Sequence, residues 1–380
     1  MKSLSFFLLT FFVLLSLDQT FAQRKSQLSG QLTTWANYRD GHDLNLWVGS
    51  RYIPEFSFQT GKKDTSFFDM EVSANIVGSM GFHPFDTAMT DGNISPYRAW
   101  MRYSTQQLEL RLGLQKINFG SASTLRPLMW FDQIDPRDPL QLTNGVWGAL
   151  GRYYFLNNAN VWVWALYGNE QRKGWELIGT DKKRPELGGR VQVPISSGEL
   201  GLTYHHRMAD PRLLSIDTLG IIQIPEHRIG FDVKWDWVVG LWAEASWIQK
   251  QQGLGLVPSQ ALFNLGTDYT FGLGNGLTVV AEQLIIAYDQ RPFAFEQPST
   301  LSVVSMTYPL GLFDNISSVL YYDWSSNSLF SFLNWQRSFD HITLYALAYW
   351  NPTSTQLPQQ NDLVNPFSGK GIQIMLVYNH

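Results

Sequence analysis

Charged side chains recur at even spacings along this chain, and that spacing decides what they can do together. Arg98 and Arg102 lie in one alternating segment, Glu109 and Arg111 in the next. Arg152, Arg190, His205, Arg207, Arg228, Asp232, Lys234, Asp236, Glu244, Asp268 and Glu282 take equivalent places in later segments. On an extended strand, residues an even number apart project to the same side. The set is therefore a one-faced array of guanidinium and carboxylate groups. Such an array can hold anions, brace itself through ion pairs, or set the ion preference of a water-filled passage.

A second charged group sits in the stretch 118–145, which has no period of its own. It contains Arg126-Pro127, Met129-Trp130-Phe131-Asp132 and Asp135-Pro136-Arg137-Asp138-Pro139. Asp132, Asp135 and Asp138 offer oxygen ligands of the kind calcium takes, but their spacing is not that of an EF-hand loop. Covalent catalysis lacks its parts. There is no cysteine, and His205 and His206 are adjacent, so on a strand their rings point to opposite faces. No G-x-S-x-G turn occurs either. No catalytic residue, metal site or cofactor is assigned, and a barrel enzyme of the lipid-hydrolase type stands as the enzymatic alternative.

These residues need a scaffold, and composition narrows which one. Of 380 residues, 44% are hydrophobic, 14% aromatic and only 16% charged, with a formal net charge of −4. Disorder requires few aromatics and a high net charge, and a basic nucleic-acid binder requires an excess of Lys and Arg. Neither condition is met. The N-terminus directs the chain across a membrane: Lys2, an apolar run from Phe6 to Leu17, and Thr20-Phe21-Ala22 form a secretory leader over 1–22, cleaved before Gln23. Later segments contain no run of 18 apolar residues, so no further transmembrane helix is expected.

The pattern along 23–380 is period two. Phe68-Asp69-Met70-Glu71-Val72-Ser73-Ala74-Asn75-Ile76 alternates strictly, as do Leu108 to Gln115 and Arg228 to Trp237. Strand-like runs begin near Leu28, Leu44, Phe67, Tyr97, Leu108, Val146, Val161, Leu187, Leu200, His227, Leu241, Leu262, Leu277, Leu301, Ile316, Leu329, Ile342 and Ile372. Connections alternate too. Short ones such as Thr105-Gln106-Gln107, Asn157-Asn158 and Leu273-Gly274-Asn275-Gly276 are interleaved with long ones at 81–96, 118–145, 169–186, 208–226, 251–260, 289–299 and 351–370. Arg39-Asp40-Gly41-His42 and Ser325-Ser326-Asn327 are short where a long loop is due. Outer-membrane barrels show this parity of turns and loops. The expected fold is all-β: a transmembrane antiparallel barrel of 16–18 strands, eighteen being the best count, in a single domain over 23–380. Tyr97, Tyr103, Trp235, Trp237, Tyr345, Tyr349 and Trp350 at strand ends read as interfacial girdles.

In such a barrel the apolar set faces lipid and the charged set faces a polar, water-filled lumen. Arg98, Arg102, Glu109, Arg111, Arg152, Arg190, Arg207, Arg228, Asp232, Lys234 and Asp236 are the expected pore-lining residues. Loop 118–145, with Arg126, Asp132, Asp135, Arg137 and Asp138, is the expected constriction, folding inward. Ile372, Ile374, Leu376, Tyr378 and His380 alternate to the chain end, like a terminal strand read by the barrel-insertion machinery, with His380 where Phe is usual.

The segment Leu110-Arg111-Leu112-Gly113-Leu114-Gln115-Lys116-Ile117-Asn118-Phe119-Gly120, followed by Asp135-Pro136-Arg137-Asp138-Pro139, resembles the porin-like barrels of Gram-negative outer membranes. It is most similar to the alginate-export and related groups, in which an R-x-G-x-Q-type strand precedes a long loop. The resemblance covers about thirty residues. It implies an outer-membrane channel with a constricting loop and an arginine track corresponding to Arg98, Arg102, Arg111 and Arg152. Glu109 and the later carboxylates depart from a purely basic track, against a polyanionic cargo. The expected function is passive diffusion of small hydrophilic solutes, anionic or sugar-like ones among them. The partners are outer-membrane lipid and the insertion machinery, with no nucleic acid. A non-transporting structural or secretion-associated barrel is the remaining alternative.

Overall fold

The structure, a computed structural model, describes residues 24–380 apart from 42–43, 63–64, 84–87, 136, 212–222, 252–257 and 354–366. The leader 1–22 lies outside the described residues. Among the described residues eighteen strands follow one another. They are β1 (Lys25–Arg39), β2 (Leu46–Lys62), β3 (Ser66–Phe82), β4 (Ala88–Thr105), β5 (Leu108–Gln115) and β6 (Val146–Tyr154). Next come β7 (Asn160–Leu166), β8 (Glu186–Ile195), β9 (Gly198–Ala209), β10 (Ile224–Asp236), β11 (Gly240–Lys250) and β12 (Ser259–Phe271). The last are β13 (Leu277–Asp289), β14 (Ser299–Pro309), β15 (Asp314–Asp323), β16 (Ser328–Ser338), β17 (Ile342–Trp350) and β18 (Lys370–Asn379).

Each strand pairs antiparallel with its chain neighbours, and β1 also pairs with β18 from Gln31↔Asn379 to Arg39↔Gly371. The sheet therefore closes, leaving no unpaired edge, the condition under which a β-structure can cross hydrocarbon. Alternation explains the outer face. Leu110 and Leu112 of β5, Val163 of β7, Leu202 of β9 and Ile372 and Ile374 of β18 all point outward and are exposed. Both exceptional outer connections are short: β15 passes to β16 through a tight turn in which Asn327 takes φ 51° and Asp323 accepts the Ser325 N–H at 2.9 Å.

Three expectations are corrected. The stretch 81–96 is mostly strand, because the β3–β4 ladder runs from Ser66↔Thr105 to Phe82↔Ala88 with one register shift at Ser73/Ala74. Cross-strand bonding carries Asp91-Gly92-Asn93, turn formers in isolation, into the ladder. Tyr345 and Tyr349 do not join a girdle: Tyr345 faces inward beside the loop, and buried Tyr349 donates to Asn37 Oδ1 at 2.8 Å. Tyr103, Trp235, Trp237 and Trp350 are exposed as a girdle requires, while Tyr97 lies against Arg98. Finally, the interior is not uniformly polar. Strands β12 to β17 turn Leu262, Leu284, Ile286, Leu301, Val303, Tyr321, Phe330, Phe332 and Leu347 inward, where they form one buried cluster with Leu125, Trp175 and Phe367 from loops. Here both faces of each strand are apolar, one for lipid and one for a packed interior.

Candidate functional site

Loop 118–145 leaves β5 and re-enters at β6, neighbours in the sheet, yet its partners lie across the barrel. Ser121 Oγ donates to Asp232 Oδ2 of β10 at 3.2 Å. The Ala122 and Leu128 N–H groups donate to Glu244 of β11 at 2.9 and 2.6 Å. Consecutive N–H groups of Ser123, Thr124 and Leu125 converge on the Glu282 carboxylate of β13 at 2.6 to 3.1 Å. A loop without a ladder must satisfy its N–H groups some other way. Lumen-facing carboxylates supply the acceptors, which explains why Asp232, Glu244 and Glu282 interrupt a basic track.

Packing fixes the same path. Leu128, Trp130 and Phe131 join Phe119, Leu150 and Trp164 in a second buried cluster, and Trp130 Nε1 donates to Ser246 Oγ at 3.0 Å. Gly230, a lumen position on β10, makes room for this segment: a Cβ there would run into the Leu128 side chain and the Trp130 ring. Arg126 pairs with Asp132 at 2.9 Å within the loop, and Arg137 pairs with Asp135 at 2.5 Å and lies over the Phe367 ring. Asp138 accepts the Leu140 N–H at 2.9 Å, and burial pushes its carboxyl above the ordinary range. The three aspartates are thus engaged separately. Among the described residues no group of three or more metal-ligating side chains forms.

Loop 169–186 folds in over the first. Trp175 Nε1 donates to the Arg126 carbonyl at 2.8 Å, and Gln260 of β12 donates to the Trp175 carbonyl at 3.1 Å. Glu176 reaches Arg207 at 3.1 Å and Arg228 at 2.6 Å, and both arginines also hold Glu226. Burial pushes the Lys173 ammonium below its ordinary range, with Glu176 opposing. Arg190 forks onto Asp232 at 2.5 and 2.9 Å. Arg190, Arg207, Arg228 and Asp232 do face inward, but at 1–3% exposure they lie beneath the two loops and hold them in place. His205 is sealed with them, bonded to Glu186 and Trp164 and covered by Phe131, while His206 points outward against His227.

A charged stretch of interior wall that keeps contact with solvent is formed by β3 to β6. Arg102 grips Asp69 at 2.9 and 2.6 Å, and Glu109 bridges Arg102, Arg111 and Arg152 at 3.5, 3.2 and 3.5 Å. These arginine side chains are 24%, 14% and 16% exposed. They stack on indoles: Arg102 and Arg111 lie over Trp100, and Arg152 lies 3.8 Å from the Trp162 centroid. Guanidiniums held this way keep N–H groups free for a third partner. Arg98 is more enclosed and donates to the Thr143 carbonyl at 2.9 Å, tying down the end of the loop. Lys234 and Asp236 form an open pair of 3.6 Å at the short-turn end of β10.

Glu176, Trp175 and Leu125 carry much of this arrangement and were not singled out in the sequence. They sit in aperiodic segments, so nothing local marks them. Gly230 did leave a trace: it is the one gap in the charged face running from Arg228 to Asp236.

The chain is similar in fold to solved outer-membrane barrels. Against OccD3 (OpdP) of Pseudomonas aeruginosa the TM-score is 0.58 at 10% identity, covering 93% of this chain and 90% of that one. Against OccAB1 of Acinetobacter baumannii it is 0.55 at 8% identity, covering 96% and 98%. Against Wzi of Escherichia coli, described as a carbohydrate-binding β-barrel involved in group 1 capsule assembly, it is 0.53 at 12% identity, covering 92% and 83%. No family model matches the chain, and no curated protein matches it. The fold is that of porin-like outer-membrane barrels.

Proposed function

We propose that this protein is a non-enzymatic channel of the Gram-negative outer membrane that passes small hydrophilic solutes. A leader over 1–22 would deliver it, and the insertion machinery would seat it in lipid. The observation that carries the reading is the solvent-accessible ladder of Arg102, Glu109, Arg111 and Arg152 inside a closed barrel, facing the space that loop 118–145 narrows. The ladder stays open to solvent, whereas the pairs of Arg207 and Arg228 are sealed beneath the loops. Arg98, Arg102, Glu109, Arg111 and Arg152 are then the lining residues, Lys234 and Asp236 border one mouth, and Arg126, Asp132, Asp135, Arg137 and Asp138 shape the constriction.

Purified protein in planar bilayers should give stable single-channel steps, and deletion of 124–140 should raise their conductance. A deletion that leaves conductance unchanged removes the constriction from this reading, and absence of steps removes the channel itself. One observation favours a second reading: the two infolded loops fill much of the interior, as suits a barrel that binds without conducting. Binding in a barrel that gives no steps would establish it.

A further inference from the structure

The inner end of loop 118–145 does not close against the far wall. Residues 137–141 stop short of β14 to β17, leaving a cavity of about 220 Å³, the scale of a single sugar ring. Its wall differs in chemistry from the ladder on β3 to β6. Thr307, Ser317, Asn334, Gln336 and Tyr345 line the space with neutral polar side chains, Gln336 also donating to Ser338 Oγ at 3.3 Å, and Asp138 lines it from the loop. Val319, Phe332 and Leu347 supply apolar surface among the polar groups of the same wall. The strands contribute no charged side chain to this lining. The loop's own cation, Arg137, is already forked onto Asp135 at 2.7 and 2.5 Å.

Neutral donors and acceptors interleaved with apolar surface match one class of solute well. A pyranose presents hydroxyl edges and a C–H face, whereas an anion needs a free cation that this cavity does not offer. A cationic solute would find one carboxylate, Asp138, with its charge disfavoured by burial. We propose that the gap between residues 137–141 and β14 to β17 is a binding subsite for a neutral, polyhydroxylated solute of about one sugar ring. The proposal deepens the channel reading and rests on it for its biological use, since it names the cargo class that would pause at the constriction. The interior then has two chemically distinct walls: an ionic one on β3 to β6, and a hydrogen-bonding one on β14 to β17.

Two readouts on the full-length protein separate the subsite from the channel. Saturation-transfer NMR on detergent-solubilised protein should show glucose bound, with gluconate, its anionic counterpart, much weaker. In planar bilayers glucose should interrupt the current in a concentration-dependent way. Asn334→Leu combined with Gln336→Leu should weaken both glucose signals about tenfold, the effect of removing two neutral hydrogen bonds. Current steps should persist in the double variant, so that lost glucose binding is read in an intact barrel. Thr307→Val, which keeps shape and loses one hydroxyl, should give a smaller loss, and heat-modifiable migration confirms that each variant forms its barrel. Gluconate matching glucose, or a double variant that binds glucose as the parent does, overturns the subsite. Glucose binding that the double variant loses, in a protein that gives no current steps, supports the subsite and overturns the channel. Steps without any glucose binding do the reverse.

Discussion

Glu282 accepts three consecutive backbone N–H groups, from Ser123, Thr124 and Leu125, and so fixes the loop where it crosses to β13. Those donors have no ladder to fall back on. Glu282→Ala should therefore leave them unpaired at about 1–3 kcal/mol of local docking free energy, with the barrel intact. Limited proteolysis should then cut within 118–145, and single-channel current should become larger and noisier. Parent-like protection would mean the apolar cluster alone holds the loop. Asp138 carries a pH dependence of defined sign. Its carboxyl is raised in the folded state, chiefly by burial, so the folded loop end binds its proton more tightly than the undocked loop does. Docking of 137–141 is accordingly strongest below the ordinary aspartate range and weakens as pH rises through the raised value. Asp138→Asn keeps an acceptor for the Leu140 N–H and removes the charge. Amide exchange at 137–141 should become slower at neutral pH and lose its pH dependence beyond the intrinsic exchange rate. A variant as pH-sensitive as the parent would assign the effect to another group.

At the scale of elements, the wall is uneven. Strands β1 to β4 have 15 to 18 residues, while β5 to β8 have 7 to 10. A seven-residue strand tilted as barrels require spans only about 18 Å of bilayer normal, below the ~25 Å apolar band typical of such barrels. Trp147 and Tyr167 mark one rim of this low wall and Tyr153 and Phe155 the other, all exposed. Hydrophobic mismatch is relieved by local thinning of the bilayer. The protein should therefore melt at a higher temperature in short-chain than in long-chain phosphatidylcholine, and Leu110→Asn with Val163→Asn, which puts polar groups into an already short apolar wall, should lower the melting temperature most in long-chain lipid. Equal melting temperatures across chain lengths would count against mismatch at this wall. The elements themselves were well marked in the sequence, since alternation at β5 or β10 needs no tertiary information. Strands such as β13, with Leu284-Ile285-Ile286-Ala287, were harder. When both faces are apolar there is no alternation from which to assign them, so the packed inner side of β12 to β17 stayed hidden. The crossing loop was hidden for a different reason. Its acceptors Glu244 and Glu282 lie more than a hundred positions away in the chain, and only the closed barrel brings them opposite Ala122 and Leu125.

At the scale of the whole molecule, the loops divide one interior into a sealed part and an open part. Ionic groups therefore divide into those sealed beneath the loops and those open to solvent. Arg190, Arg207 and Arg228 are matched by Asp232, Glu226 and Glu176 within the sealed part, and so contribute little field to the passage. The open wall carries Arg102, Arg111 and Arg152 against Asp69 and Glu109, an excess of one cation despite the chain's net charge of −4. A modest anion preference should follow, set by the wall and not by the molecule's overall charge. Arg102→Gln with Arg111→Gln would reverse it, because Asp69 is then unpaired and Glu109 keeps only Arg152, leaving two carboxylates against one guanidinium. Reversal potentials across a KCl gradient should change sign in that variant. The same exchange at Arg207 and Arg228 should loosen loop 169–186 without reversing selectivity. Salt dependence separates field from fit: the Debye length is about 10 Å at 0.1 M and about 3 Å at 1 M. Preference should therefore fade in concentrated KCl if charge alone creates it. A preference that persists there, or that resists loss of Arg102 and Arg111, would place the selective step away from this wall.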